Sequence, residues 1–208
     1  MVTFPVNGGE PFRSRVVEAV GRHPHIERVT LAGSRAEGRA HTLSDWDFTV
    51  ETHNFASVAP DMPLLCMPLH PLAQQWDRLS RACCWMLLLA GPVKVDLIFA
   101  EPHAPESAWQ PNAANLAAID AHFWDWVLWL RGKQAHQQTA LVAAELRKMF
   151  GHILEPMGIS RRPTSIDDAI ATYRHARAAL ERTFGSAVPR TIEQAVYPAV
   201  SERRSAAP

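Results

Sequence analysis

The stretch LAGSRAEGRAHTLSDWDFTV, residues 31–50, places a glycine turn and two closely spaced aspartates in front of an apolar strand. Residues 28–34 and 46–51 are both predicted to be strands, and the first ends in the turn at Gly33. Because side chains alternate along a strand, Asp45 and Asp47 point to the same face. Two adjacent carboxylates repel each other unless a cation lies between them. The pattern predicts a cation site, and its plainer alternative is an ordinary turn followed by two solvent-facing aspartates.

Magnesium suits this pair of carboxylates because it takes oxygen ligands in octahedral geometry and keeps substrate phosphates in its remaining positions. Just upstream, Gly33 lets the backbone approach a ligand closely. Ser34 can donate its hydroxyl and amide hydrogens to a phosphate, and a helix predicted to begin within 35–40 would favour an anion. These features together predict that a phosphate-containing ligand binds beside the metal.

A third carboxylate, Asp96, lies in the middle of an apolar strand. The segments CCWMLLLA, residues 83–90, and VKVDLIFA, residues 93–100, flank a Gly-Pro turn and predict a β-hairpin. A charge in so apolar a strand is costly unless it meets a metal or a partner. Asp96 is therefore a candidate metal ligand, and Lys94 on the same face of the strand is its possible partner.

The combined pattern resembles that of the DNA polymerase β-like nucleotidyltransferase superfamily. The resemblance is carried by G-S-x-A-x-G at residues 33–38, by S-D-x-D at residues 44–47 and by the later Asp96. It implies that catalysis and the binding of two Mg²⁺ ions depend on Asp45, Asp47 and Asp96. In that superfamily the third carboxylate helps to hold one metal or acts as base towards the attacking hydroxyl, and both roles stay open for Asp96.

The same resemblance implies a reaction and a nucleotide site. A hydroxyl group would attack the α-phosphorus of a nucleoside triphosphate, with ATP as the expected co-substrate, and pyrophosphate would leave. The nucleotide-binding residues that it implies in the first half of the chain are Gly33, Ser34, Arg35 and Ser44. For Arg35 the plainer alternative is a place on a solvated helix face.

The order of predicted elements divides the chain into an α/β half and a helical half. We predict an α+β fold with a nucleotidyltransferase domain over 1–104, built from a small mixed β-sheet flanked by helices. A helical bundle over 105–200 would follow and close on nucleotide and substrate, and residues 201–208 would be a disordered tail. Prolines break residues 58–71 into loops or short edge segments. The predicted helices span 10–22, 72–82, 115–132, 134–155 and 165–184.

Aromatic and basic side chains share one face of the predicted helix at 115–132 and of the residues that follow it. Some members of the superfamily place a helix lysine on the triphosphate, so the resemblance implies that Lys133 binds nucleotide. The alternative for Lys133 is a solvated helix end, where a cation also suits the helix dipole. Trp126 and Trp129 are predicted to pack between helices rather than to contact a ligand. Tyr173 is a candidate lining residue of the same cleft.

A catalytic domain followed by a helical domain is most like the antibiotic nucleotidyltransferases, which adenylylate hydroxyls of aminoglycosides or lincosamides. The expected partners are therefore a nucleoside triphosphate and a small hydroxyl-bearing acceptor. The chain has 21 Lys and Arg against 21 Asp and Glu. This balance disfavours nucleic acid as a partner and puts a polycationic acceptor in doubt. Asp120 and Asp125 are expected at the surface, with contact to a cationic antibiotic as the alternative.

Two other classes of function stay open. A minimal nucleotidyltransferase of the antitoxin type would modify or bind a partner protein, and a non-catalytic module would only bind nucleotide. The long helical half after Asp96 favours the small-molecule enzyme over both. The longest apolar run, residues 82–90, is too short to span a bilayer. The odd number of cysteines and the lack of a visible signal peptide favour the cytoplasm.

Overall fold

The computed structural model describes residues 9–41 and 43–201. The chain divides between Pro105 and Glu106 into two compact units. The first unit combines strands and helices and the second is helical, which confirms the predicted α+β fold with a helical C-terminal region. Ser201 ends the last helix, and the tail predicted to be disordered lies otherwise outside the described residues.

The first unit is built on five strands. They are β1 Ile26–Ala32, β2 Trp46–Thr52, β3 Ala73–Trp76, β4 Cys83–Leu89 and β5 Val93–Phe99. Their order in the sheet is β1-β2-β5-β4-β3. The pair β2–β5 is parallel and the other pairs are antiparallel, so the sheet is mixed. The predicted hairpin forms as β4–β5, and it is β5 that returns to lie beside β2.

Short helices accompany this sheet. They are α1 Gly9–Gly21, α2 Gly33–Ala36, α3 Phe55–Val58 and α4 Met62–Cys66, with 3₁₀ turns at Ala59–Asp61 and Met67–Leu69. The amphipathic helix α1 contributes its apolar stripe to a core shared with alternate residues of β2 and β5. That core contains Trp46, Phe48, Val50, Val95, Leu97 and Phe99. Because strand side chains alternate, Asp47 and Asp96 lie on the opposite face of the sheet.

The helix predicted over residues 72–82 is wrong. Residues Ala73–Trp76 form the edge strand β3, which pairs antiparallel with the buried strand β4. Trp76 packs against Trp85 and Phe99 with ring centroids 5.1 Å and 5.6 Å apart. Cross-strand packing of this kind outweighs local helical propensity, which is a weak preference in a short segment.

The loops and edge segments predicted over residues 58–71 are also corrected. This stretch contains α4 and the two 3₁₀ turns instead. Pro60, Pro63 and Pro68 each occupy the first or second position of one of these turns. Proline is favoured there because its missing N–H would have no helical partner at that position.

The second unit consists of four helices within the described residues. They are α5 Leu116–Ala135, α6 Thr139–Met149, α7 Ile166–Phe184 and α8 Thr191–Ser201, and α6 continues as a π-helical segment, Phe150–Leu154. The Ser165 side chain caps α7 by accepting a hydrogen bond from the amide of Asp168. The sequence pattern did not predict α8. In the part of the chain that the structure describes, no helix combines the length and apolar character that crossing a membrane requires.

A buried polar network holds α5 and α7 together and corrects two expectations. Asp120 is fully buried rather than exposed, and it accepts hydrogen bonds from Tyr173 Oη at 2.7 Å and Arg177 Nη1 at 2.6 Å. Burial raises the pKa of Asp120, while these two hydrogen bonds act in the opposite direction. Tyr173 stacks on Phe123 inside the unit, with ring centroids 3.7 Å apart, and lines no cleft. Asp125 is buried as well.

Asp120 and Asp125 are buried, against expectation, because α5 is buried around most of its circumference. Twelve of its 20 residues are buried, so its sequence offers no polar face from which solvent exposure could be inferred.

A second ion pair stabilises the end of α7. The carboxylate of Glu181 accepts hydrogen bonds from Arg190 Nη1 and Nη2 and from the amide of Val188, at 2.6–2.7 Å. The Arg190 guanidinium lowers the pKa of Glu181 from its ordinary value of 4.5 to about 2. Because the folded pKa is depressed, Glu181 contributes stability above about pH 4.5, and this contribution is lost as the pH falls towards 2.

Replacing Glu181 with Gln is expected to lower the free energy of unfolding at pH 7 by about 2 kcal/mol, since charge-assisted hydrogen bonds are lost from a mostly buried site. Urea unfolding of wild type and variant at pH 7, 5 and 3 measures the difference, which should shrink as the pH falls. Glu155→Gln is the control, because Glu155 is exposed and its replacement should leave stability nearly unchanged. A difference that stays constant with pH would contradict the assignment.

Candidate functional site

The three aspartates singled out in the sequence come together on neighbouring strands. Asp45 immediately precedes β2 and Asp47 is the second residue of that strand. Asp47 lies directly opposite Asp96 in the parallel β2–β5 register. One carboxylate oxygen from each of the three residues lies within 4.8 Å of the others. All three side chains are half-buried, so the cluster is open to a ligand from solvent.

The chemistry of this donor set fits Mg²⁺. Carboxylate oxygens are the ligands that Mg²⁺ prefers, and oxygens on opposite sides of an octahedral ion are about 4 Å apart. Three oxygens on one ion include at most one opposite pair, and neighbouring oxygens lie about 3 Å apart. The carboxylate oxygens of the cluster, within 4.8 Å of one another, would therefore move closer together on binding an ion. Among the described residues, this is the one group of three or more acidic, histidine or cysteine side chains with such spacing.

Gly33 packs directly against the cluster. Its φ of +63° is a conformation that side-chain-bearing residues rarely adopt. A Cβ placed on Gly33 would lie 2.1 Å from Oδ2 of Asp47 and 3.0 Å from its Cγ. The glycine therefore allows the close approach of Asp47, and the predicted close approach of a ligand stays a prediction.

Ser34 follows Gly33 within α2, half-buried and one residue beyond this contact. The helix is only four residues long, so the predicted helix dipole at this position is small. Amides in the first turn of a helix have no partner within the helix. The donors that this segment offers a phosphate are thus the Ser34 hydroxyl and nearby amides rather than a macrodipole.

Arg35 holds the backbone that carries the first aspartate. Its Nε donates to the carbonyl oxygen of Asp45 at 3.0 Å, and its Nη2 donates to that of Ser44 at 2.7 Å. The guanidinium also lies 4.1 Å from the centre of the Trp46 ring. Desolvation lowers the pKa of Arg35, while the charges of Asp45 and Asp47 oppose that effect. Arg35 thus positions the start of β2, a role that the sequence pattern did not indicate.

Ser44 closes the turn in front of β2. Its Oγ accepts a hydrogen bond from the amide of His41, and its own amide donates to the carbonyl of His41, both at 2.9 Å. His41 was missed in the sequence, where a lone histidine in a loop carries no signal. The turn orients Ser44 next to Asp45, and phosphate binding by Ser44 stays a prediction.

Lys94 is the partner of the third aspartate, as its position on the strand indicated. Its Nζ donates to Oδ1 of Asp96 at 2.6 Å. The Lys94 side chain is 8% exposed and that of Asp96 is 17% exposed. One oxygen of Asp96 is therefore engaged by a buried cation.

The predicted nucleotide-binding lysine of the helical half lies in the second unit. Lys133 is half-buried in the last turn of α5, with Nζ 4.9 Å from the centre of the Trp129 ring. His122 is buried between Trp109 and Trp126, at ring distances of 6.2 Å and 5.9 Å. These contacts support packing for the aromatic residues, and nucleotide binding by Lys133 stays a prediction.

Comparisons with known proteins give structural similarities at low sequence identity. No protein-family model matches the sequence, and no curated protein matches it. The chain is similar to the polymerase core of TRAMP, an RNA surveillance complex, at 11% identity and a TM-score of 0.35, over 61% of this chain. It spans 42% of the length of that polymerase core. It is also similar to an aminoglycoside 6-adenyltransferase from Bacillus subtilis, at 13% identity and a TM-score of 0.33, over 90% of this chain and 95% of the other.

Proposed function

We propose that the protein is a metal-dependent nucleotidyltransferase that moves a nucleoside monophosphate, AMP from ATP, onto a hydroxyl group of a small molecule. The observation that carries this proposal is the cluster of Asp45, Asp47 and Asp96. Three carboxylate oxygens within 4.8 Å of one another, on the face of the sheet opposite the apolar core, need cations to offset their charge. Such a cluster suits a reaction on a magnesium-bound triphosphate.

Asp45 and Asp47 would hold both metal ions, and the oxygen of Asp96 that is not bonded to Lys94 would complete the set. Two Mg²⁺ ions bound there would offset the charge of the triphosphate and stabilise the entering and leaving oxygens. The β2–β5 register and the backbone hydrogen bonds of Arg35 keep the carboxylates in place before substrate arrives. Such preorganisation is worth much of the rate enhancement in sites of this kind.

Around the aspartates, the chain would bind and orient the triphosphate. Gly33 leaves room beside Asp47, and Ser34 presents a hydroxyl one residue further on. Ser44 directly precedes Asp45 in a hydrogen-bonded turn. In the transfer, the acceptor oxygen bonds to the α-phosphorus while the bond to the bridging oxygen of pyrophosphate breaks. The acceptor proton leaves to water, or to Asp96 if its second oxygen acts as base instead of binding metal.

The charges of the helical unit support an acceptor of low charge. Asp120, Asp125 and Glu145 are all buried in that unit, and Asp120 is paired with Arg177. These carboxylates are therefore not displayed to a polycationic ligand. A lincosamide-like or other weakly charged alcohol fits this unit better than an aminoglycoside with several ammonium groups.

Pyrophosphate release tests the proposal. Purified protein with Mg²⁺ and ATP is expected to release pyrophosphate only when an acceptor is supplied from a panel of lincosamides, aminoglycosides and simple alcohols. Mass spectrometry of the acceptor should show the added nucleoside monophosphate, and repeating the assay with GTP, CTP and UTP defines the base preference. No release with any triphosphate and any acceptor would contradict the enzyme. Labelling of a co-purified protein instead would indicate the antitoxin-type activity.

A further inference from the structure

Lys94 is a buried lysine within the carboxylate cluster. Its side chain is 8% exposed, although it lies on β5 among apolar residues, opposite Leu88 in the β4–β5 register. Burial of an ammonium group is costly unless a carboxylate compensates it. The compensating contact is the 2.6 Å hydrogen bond from Nζ to Oδ1 of Asp96. Lys94 is therefore hydrogen-bonded to one of the three carboxylates that could bind a metal ion.

The other cation of the site is arranged differently. Arg35 interacts electrostatically with Asp45 and Asp47, but its side-chain hydrogen bonds run to the backbone carbonyls of Ser44 and Asp45. Arg35 therefore offsets the negative charge of Asp45 and Asp47 and makes no hydrogen bond to Oδ1 of Asp96. Lys94 both offsets charge and occupies a carboxylate oxygen, so a divalent cation that approaches Asp96 meets a bound ammonium group.

We propose that Lys94 is an internal counter-ion of the carboxylate cluster that competes with divalent metal and lowers its affinity in the absence of nucleotide. The proposal rests on the proposed function only in taking this cluster as the metal site. In the metal-free protein, Lys94 relieves the repulsion among the three carboxylates. When a triphosphate brings its own negative charge, the positive charge of Lys94 no longer opposes metal binding to the same degree. Metal and nucleotide then bind together rather than separately.

The test is Mn²⁺ binding without nucleotide, measured by electron paramagnetic resonance on the full chain. Lys94→Met removes the charge and keeps the length of the side chain, and it is expected to bind Mn²⁺ about tenfold more tightly than wild type, because a unit charge a few ångströms away is removed. Lys94→Arg keeps the charge and is expected to stay within about twofold of wild type. Lys148→Met is the matched control, since it removes a lysine paired with Glu145 in the other unit and should leave Mn²⁺ affinity unchanged.

Thermal unfolding provides a second readout. Without metal, Lys94→Met should melt below wild type because the carboxylates repel each other, and Mn²⁺ should raise its melting temperature more than it raises that of wild type. If the Met variant does not fold, Lys94→Gln offers a donor to Asp96 without the charge and is expected to show the same gain in Mn²⁺ affinity. A purely structural lysine would lower stability without this gain.

Equal or weaker Mn²⁺ binding in Lys94→Met or Lys94→Gln than in wild type would overturn the proposal. Asp47→Asn, made in both the wild-type and Lys94→Met backgrounds, separates this failure from that of the proposed function. If Asp47→Asn abolishes Mn²⁺ binding while Lys94→Met matches wild type, the metal site stands and the counter-ion role of Lys94 fails. If Asp47→Asn leaves Mn²⁺ binding unchanged in both backgrounds, the metal site itself fails.

Discussion

Replacing Asp47 with Asn is expected to reduce the proposed nucleotidyl transfer by about 10³-fold, since the proposed metal ligand loses its charge and about 4 kcal/mol of transition-state stabilisation is lost with it. Asp47 lies at the centre of the site, in register with Asp96, and Gly33 packs against its carboxylate. The fold should be retained, because asparagine has nearly the same shape and Asp47 is only half-buried. Pyrophosphate release with the best acceptor of the panel, at saturating ATP and Mg²⁺, measures the effect.

The matched control for Asp47→Asn is Asp61→Asn in the same unit. The Asp61 side chain is 54% exposed, and it lies 3.4 Å from Nε2 of His23 rather than against any residue of the cluster. Its replacement should leave the rate within about twofold of wild type, since substitutions of exposed side chains away from the site have small effects. Wild-type activity in Asp47→Asn would remove the basis of the site assignment, and equal losses in both variants would point to general destabilisation.

Replacing Gly33 with Ala is expected to lower activity by about 100-fold, since a displacement of about 1 Å in a catalytic group has an effect of that size. The new methyl group would lie 2.1 Å from Oδ2 of Asp47, so this short side chain must leave its position. The positive φ of +63° adds a backbone cost of about 1–2 kcal/mol for any L-residue. Activity and urea unfolding, measured side by side, separate the two effects.

Gly38→Ala is the matched control for Gly33→Ala. Gly38 has a similar φ of +69°, and a Cβ placed there would meet no atom within 4 Å. It should therefore show the backbone cost in stability with little loss of activity. If Gly33→Ala loses no more activity than Gly38→Ala, contact with Asp47 is not what requires glycine at residue 33.

Much of the candidate site could be predicted from local patterns. The alternation of side chains along a strand was enough to put Asp45 and Asp47 on one face, and the apolar neighbours of Asp96 indicated a charge in need of a partner. The same-face spacing of Lys94 also made it a possible partner, and the 2.6 Å hydrogen bond shows that it is one. These features depend on residues only a few positions apart.

The role of Arg35 could not be predicted in the same way. Its hydrogen bonds to Ser44 and Asp45 cross about ten residues and depend on the path of the turn before β2. The edge strand β3 is a second example, because Gln74 and Gln75 carry no strand signal and the pairing with β4 is what selects their conformation.

Taken by itself, the sequence determined the division into an α/β half and a helical half, the faces of strands β2 and β5 and the chemical character of the carboxylate cluster, because these follow from side-chain types and their spacing. The tertiary structure alone decided that β5 lies parallel to β2, so that Asp96 meets Asp47 across the register. It also decided that Asp120 and Tyr173 lie inside the helical unit. Strand order and burial depend on contacts between residues that are distant in the chain, and no local pattern records those contacts.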